Sequence, residues 1–220
     1  DLVSRLLPVL GRSLEAGFNV FDVMHHGLHE KQLSNVFRWL LDSGGTHRLG
    51  ETFVSIFVDE INHTSTSAEA LPTGGYVIRQ EVNTSPSGTG ADIADLVLEN
   101  KTACIVVENY YTSDGHGHSY DGYLAYSRRE GRRGEVVLLC RDTDAALQSK
   151  GWQHAPVLTY ATLVQRLLKI VSSDAAYQRA NPESCSFIDQ LHRKFVKGRG
   201  RVQDHDVLGF VVAMCNTGEA

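Results

Sequence analysis

The sequence predicts an α/β domain. Helix-spaced apolar residues dominate the first 61 positions, three strand-like segments follow between 76 and 110, and helical spacing then returns around further short strands. From 2 to 14 the apolar residues recur at helical spacing, interrupted by Pro8 and Gly11. Phe18, Val20, Phe21, Val23 and Met24 extend this N-terminal helical segment. The stretch 28–41 places Leu33, Val36, Phe37 and Leu40 on one helical face, and Ser43-Gly44-Gly45 ends it. The stretch 49–61 repeats the pattern with Phe53, Ile56, Phe57 and Ile61. Residues 64–75, rich in Ser, Thr, Ala and Gly, read as a surface loop.

Strands are expected at 76–82, 93–98 and 103–110, the last containing the apolar run Cys104-Ile105-Val106-Val107. The link Glu99-Asn100-Lys101-Thr102 is short enough to make the second and third a hairpin. A helix over 119–129, a strand over 135–140, a short strand over 157–160 and helices over 161–172 and 186–197 complete the pattern. The expected domain runs over 1–200, with helices in 1–63, the sheet core in 76–160 and C-terminal helices in 161–198. Residues 201–220 form an extension.

A chain of 220 residues that is 42% hydrophobic and 21% charged can bury a continuous core, which excludes wholesale disorder. The net charge of −5 gives no general attraction to polyanions, so nucleic-acid contact must use local patches. One candidate patch is Arg128, Arg129, Arg132 and Arg133; another is Arg193, Lys194, Lys197, Arg199 and Arg201. Taken alone, each reads first as a solvated helix end or loop. Cys104, Cys140, Cys185 and Cys215 form no CxxC pair, which argues against a zinc knuckle or disulfide scaffold and favours a reducing, cytoplasmic setting. No apolar run reaches membrane-spanning length, so no membrane partner is expected.

The chemistry concentrates in two acids that border apolar runs, in Asp95-Leu96-Val97-Leu98 and Ile105-Val106-Val107-Glu108. In an antiparallel hairpin, one strand's start faces the other's end, so Asp95 and Glu108 can meet. Converging carboxylates beside a core need compensation, and a divalent cation supplies it. The same spacing also fits a strand pair whose ends emerge into solvent. Asp92 is the other acid nearby, but period-two alternation puts it on the face opposite Asp95 unless a bulge intervenes.

These motifs occur with Phe18-Asn19-Val20-Phe21, Glu30-Lys31-Gln32-Leu33-Ser34, Trp39-Leu40-Leu41-Asp42 and His47. Downstream come Ile93-Ala94-Asp95-Leu96, Val107-Glu108-Asn109-Tyr110, a helix through Tyr120 and Tyr123, and Val136-Val137-Leu138-Leu139. Together and in this order they resemble a bacterial branch of the PD-(D/E)XK nuclease superfamily, across about 18–195. The resemblance implies a restriction-endonuclease-like core, with a central mixed β-sheet flanked by helices. It implies a hydrolase that cleaves DNA phosphodiesters with Mg²⁺ or Mn²⁺, acting as an endonuclease or exonuclease. Carried over, Asp95 and Glu108 are the metal-binding carboxylates, the backbone carbonyl of Asn109 is a further ligand, and Glu30 contributes from its helix. Expected partners are DNA and a homodimer or a larger anti-phage defence complex.

The main departure from the family pattern is Tyr110, which stands where the motif has lysine and shares a strand face with Glu108. A phenol donates a hydrogen bond but carries no charge near neutral pH. Lys31, Arg79 or Lys101 reaching in from elsewhere would restore the cation. Where the family often has Gln, this chain has His116 and Ser119. His116 either meets a phosphate or orders water there, or is a solvated loop residue. The alternative function is a degenerate domain that binds nucleic acid or a partner protein without cutting.

Blander readings cover the remaining features. His25, His26 and His29 read as a polar helix approach, and Trp39 as core. Tyr111, Tyr120 and Tyr123 divide between packing and DNA contact. Ser87-Gly88-Thr89-Gly90 reads as a turn, since it leads into a strand and not a helix.

Overall fold

The structure, a computed structural model, describes residues 30–67, 69–85, 92–110 and 117–197. Five strands form one sheet in the order β1 (Val77–Asn83), β2 (Ile93–Glu99), β3 (Ala103–Tyr110), β4 (Arg133–Cys140) and β5 (Val157–Thr159). β1, β2 and β3 pair antiparallel, whereas β3–β4 and β4–β5 are parallel. This is the mixed sheet the motif order implied. Central β3 is covered on both faces, which explains its unbroken Ala-Cys-Ile-Val-Val run.

Helices α1 (Glu30–Leu41), α2 (Thr52–Thr64), α4 (Tyr160–Ser173) and α6 (Pro182–Phe195) cover one face of the sheet. Leu33, Phe37, Leu40 and Leu41 of α1 interlock there with Phe53, Phe57 and Ile61 of α2, and with Leu163, Leu167, Ile188 and Leu191. Their strand partners are Leu96, Leu98, Ile105, Val107, Val137 and Leu139. The opposite face is smaller and carries α3 (Tyr120–Ser127), whose Tyr120, Tyr123 and Tyr126 pack on Val97, Cys104, Val106, Val136, Leu138 and Trp152.

Local signals set several element ends. Ser119 Oγ accepts from the Gly122 N–H at 3.1 Å and starts α3, and Thr159 Oγ1 accepts from the Thr162 N–H at 3.2 Å to start α4. Asp174 caps the short α5 (Ala175–Ala180), which the sequence reading missed. Pro182, at the first turn of α6, moves that helix start four residues ahead of its expected place. After α1, Gly45 must be glycine, because a Cβ there would stand 2.6 Å from the buried His47 ring. Trp39 lies partly buried as expected, its ring edge-on to His47 at 4.9 Å and to Phe187 at 5.3 Å. Cys104 and Cys140 are buried free thiols, and Cys185 is half-buried. No helix among the described residues is long and apolar enough to cross a membrane. The N-terminal helical segment, His25, His26, His29, the 87–90 turn, Tyr111, His116, Arg199, Arg201 and the extension lie outside the described residues.

Candidate active site

The β2–β3 ladder ends at the pair Leu96↔Val107, and the next residue on each strand is an acid, Asp95 on β2 and Glu108 on β3. Here a side chain takes over from the ladder: the Asn109 N–H donates to Asp95 Oδ2 at 2.8 Å. Glu108 is only 1% exposed and accepts a 3.0 Å hydrogen bond from the Tyr123 hydroxyl on Oε2. That hydroxyl also lies 3.0 Å from the Ile93 carbonyl, so one phenolic proton serves two acceptors. Burial first, then the charge and hydrogen bond of Glu108, then Asp95 and Asp92, hold the Tyr123 phenol far above its ordinary range. Tyr123 is therefore a neutral donor at any working pH.

Asp92 stands on the same side as Glu108, since one ring, His118, lies 3.5 Å from the first and 3.8 Å from the second, which corrects the expectation from strict alternation. Leu96 and Leu98 belong to the helix-backed core, whereas Ala94 and Val82 pack with the α3-backed cluster, so the two-residue period breaks at Asp95. In β1 the break coincides with Glu81, which lies between the pairs Gln80↔Leu96 and Val82↔Ala94 and adopts φ 48°. Asp92 is then tied in by its own bonds. Its N–H donates to Ser85 Oγ at 2.9 Å, and its Oδ1 accepts from the Ser119 N–H at 3.2 Å.

His118, which sequence reasoning left unassigned, sits between the acids. Its Nδ1 is 3.5 Å from Asp92 Oδ1, its Nε2 is 3.8 Å from Glu108 Oε1, and its ring stacks on Tyr123 at 5.7 Å. Trp152 anchors the His118 backbone by donating to its carbonyl at 3.0 Å. The available signal was its place just before Ser119, the cap of the helix that carries Tyr123.

Asn109 points the other way, into the helix-backed core, and is fully buried. Its amide is satisfied at both ends when its nitrogen donates to Tyr160 Oη at 2.6 Å and to the Leu139 carbonyl at 3.2 Å. Its oxygen then accepts from Ser34 Oγ at 2.7 Å and the Ser34 N–H at 3.2 Å. The side chain thus bolts α1 and α4 to β3, which leaves only the backbone carbonyl for the ligand role expected of this residue. Glu30 is the first residue of α1, one turn before Ser34. Tyr110 is half-buried, two residues beyond Glu108, and its carbonyl accepts from the Tyr160 hydroxyl at 3.3 Å.

Of the three cations considered as replacements for the motif lysine, Lys31 alone stands at this level of the sheet, 2.9 Å from Glu81. Arg79 pairs across from Val97 and turns its guanidinium to Glu99. Lys101 lies in the hairpin turn, six residues or roughly 20 Å along the strand from Asp95. The arginine patch does not converge on the carboxylates either. Arg133 pairs with Ala103, five residues or about 17 Å from Glu108, and is bound to Glu69 at 2.6 Å. Arg132 reaches Glu99 at 3.0 Å. Arg129 lies over the Tyr126 ring at 4.6 Å, and Arg128 is exposed. In the second patch, Arg193 pairs with Asp189 at 2.9 Å on α6.

Among the described residues, no three His, Cys, Asp or Glu side chains form a ready-made metal cage. A magnesium-type ion does not require one, since it keeps several waters and uses one or two carboxylates. Asp95 and Glu108 are such a pair of hard oxygen donors, so the residues present fit the ion.

No curated protein and no solved structure matches the chain. A family model described as PD-(D/E)XK nuclease superfamily matches residues 18–196, which takes in every strand and helix described above. With a mixed five-stranded sheet flanked by helices and paired acids at the end of its central hairpin, the chain belongs to the PD-(D/E)XK nuclease superfamily.

Proposed function

We propose that the chain hydrolyses phosphodiester bonds of DNA with the help of Mg²⁺ or Mn²⁺. The observation that carries this reading is the placing of Asp95 and Glu108 one step beyond the last β2–β3 pair, where the Asn109 N–H donates to Asp95. Asp95 and Glu108 would hold the ion, with the Asn109 carbonyl and Glu30 of α1 completing the set. The ion, when bound, supplies phosphate polarisation, a water of lowered pKa and stabilisation of the leaving 3′ oxygen.

The chain's own groups do the rest. Tyr123 fixes the Glu108 carboxylate through its neutral hydroxyl, and the Asn109 N–H fixes that of Asp95. Lys31, paired with Glu81 at 2.9 Å, would supply the cation that Tyr110 cannot. Arg128 and Arg129, both exposed, are the members of the arginine patch free of ion pairs among the described residues and meet flanking DNA. A homodimer would let each site cut one strand of a duplex, and a place as effector of an anti-phage defence complex in the cytoplasm accords with such activity.

The test is cleavage of supercoiled plasmid and single-stranded DNA with Mg²⁺ or Mn²⁺ by the native chain, Asp95→Ala and Glu108→Ala. Metal-dependent cutting abolished by both substitutions supports the reading. Tyr110 favours a second one, a degenerate domain that binds nucleic acid or a partner protein without cleaving. Ion binding by calorimetry with no cutting would select it.

A further inference from the structure

Away from the carboxylates, the hairpin end of the sheet holds an open depression of about 760 Å³ lined by Gly74, Val77, Arg79, Glu99, Lys101 and Arg132, among others. Glu99 is shared by two guanidiniums, from Arg79 on β1 and Arg132 just before β4. Three cations thus surround one carboxylate, a local excess of positive charge in a chain whose net charge is −5. The pairing does not exhaust the donors. Each guanidinium carries five N–H groups, of which Arg132 spends Nε on the Arg129 carbonyl at 3.1 Å and Nη1 on Glu99. Held by Glu99, the two forks are oriented in advance, which reduces the side-chain entropy lost when they meet a second anion.

The position of this depression gives it a partner. Cys104 pairs across the ladder with Glu99, which lines the depression, and burial pushes the Cys104 thiol up to about 11 while Arg132 and Arg79 act in the opposite sense. Cys104 belongs to the same packed cluster as Tyr123, the residue that holds Glu108, so the basic depression and the acidic site share one face of the sheet. Glu99 is four residues from Asp95 along β2, roughly 13 Å, and Lys101 lies two residues further, in the hairpin turn, at up to roughly 20 Å. At about 3.4 Å per nucleotide of a duplex strand, that is roughly four to six nucleotides.

We infer that Arg79, Lys101 and Arg132 form a phosphate-backbone subsite that holds the nucleic acid about four to six nucleotides from the scissile bond. This rests on the nuclease reading for its ligand, but it is a statement about binding and is tested as one. The ligand class is a phosphodiester chain, recognised by charge and not by base sequence.

The experiment measures affinity of the full chain, without added metal, for fluorescent duplex and single-stranded oligonucleotides of 6 and 20 nucleotides (~2 and ~7 nm of duplex) across a salt series. Native protein is compared with Arg79→Ala, Lys101→Glu and, as a charge-matched control on α4, Lys169→Glu. Lys101 lies exposed in a turn, so its variant remains informative if Arg79→Ala fails to fold. Expected is a loss of about tenfold on the 20-mer for Lys101→Glu, a salt slope shallower by about 0.7–0.9 per lost contact, and a smaller loss on the 6-mer and for the control. Equal losses for Lys101→Glu and Lys169→Glu, or no change in salt slope, would overturn the subsite, as would a native chain that binds neither oligonucleotide. Failure of the nuclease reading registers separately: the native chain binds the 20-mer and shows the Lys101 effect, yet cuts nothing when Mg²⁺ or Mn²⁺ is added.

Discussion

Glu108 and Asn109 are neighbours on β3, both polar and both buried, and strand geometry sends them to opposite faces of the sheet. Asn109 enters the face backed by α1, α2, α4 and α6, where each end of its amide finds partners and two helices are tied to the central strand. Glu108 enters the face under α3, where it joins Asp95, Asp92, His118 and Tyr123. One face converts a buried polar group into stability. The other gathers negative charge at a cost in stability, the arrangement expected of a working site.

The largest effect that would test this contrast is on catalysis. Glu108→Gln keeps an oxygen to accept the Tyr123 hydroxyl but removes a charge from the cluster. Cleavage is expected to fall on the order of 10³-fold, about 4 kcal/mol of barrier, while the urea midpoint stays at or slightly above the native value. A clear loss of stability would place Glu108 with Asn109 as a structural residue. The reverse substitution is Asn109→Leu, expected to cost about 2–4 kcal/mol in urea unfolding because Tyr160 and Ser34 lose their shared partner. An unchanged midpoint would remove the bolt from the account.

Smaller effects sharpen the comparison. Tyr110→Lys returns the cation to the Glu108 face and is expected to raise cleavage by about tenfold, measured as initial rate on plasmid. No rise, with the fold intact by circular dichroism, would mean that Tyr110 does not occupy the lysine's place. The smallest concerns His47 on the helix-backed side, a fully buried ring whose Nδ1 accepts from the Leu49 N–H at 2.9 Å.

Burial lowers the His47 pKa, so the ring folds neutral, and half-buried His192 is lowered in the same sense. Protonation then favours the unfolded chain. Their stability contribution is complete above about pH 6.5 and is lost as pH falls below it, by at most about 1.4 kcal/mol per pH unit for each ring. Urea midpoints between pH 5 and 8 would check this, and a midpoint that rises on acidification contradicts it.

Much of this architecture is legible in the amino-acid sequence. Period-two apolar runs, a four-residue link and helix-spaced faces located β1 to β5, α1 to α4 and the Asp95–Glu108 hairpin to within a few residues. The short α5 escaped because six residues with one partly buried apolar side chain, Tyr177, leave no periodic stripe to read. Alternation assigns Asp92 to the opposite face only in an unbroken strand. Glu81, at positive φ without being glycine, gives no sign in its residue type that the period fails beside it. The arginine patch looked continuous because its members are close in sequence, yet their side chains divide between Glu99, Glu69 and the Tyr126 ring.

The sheet, the hairpin and the family are written in the chain's local pattern, because strand period, turn length and motif order are local properties. That Asp92 and His118 stand with Glu108, that Arg79 turns to Glu99, and that Asn109 joins helices 75 and 51 residues away come only from the packed fold. Those outcomes depend on how α1, α3 and α4 pack across the sheet. Contacts between residues so far apart in the chain are set by the shape of the whole core, which no window of sequence contains.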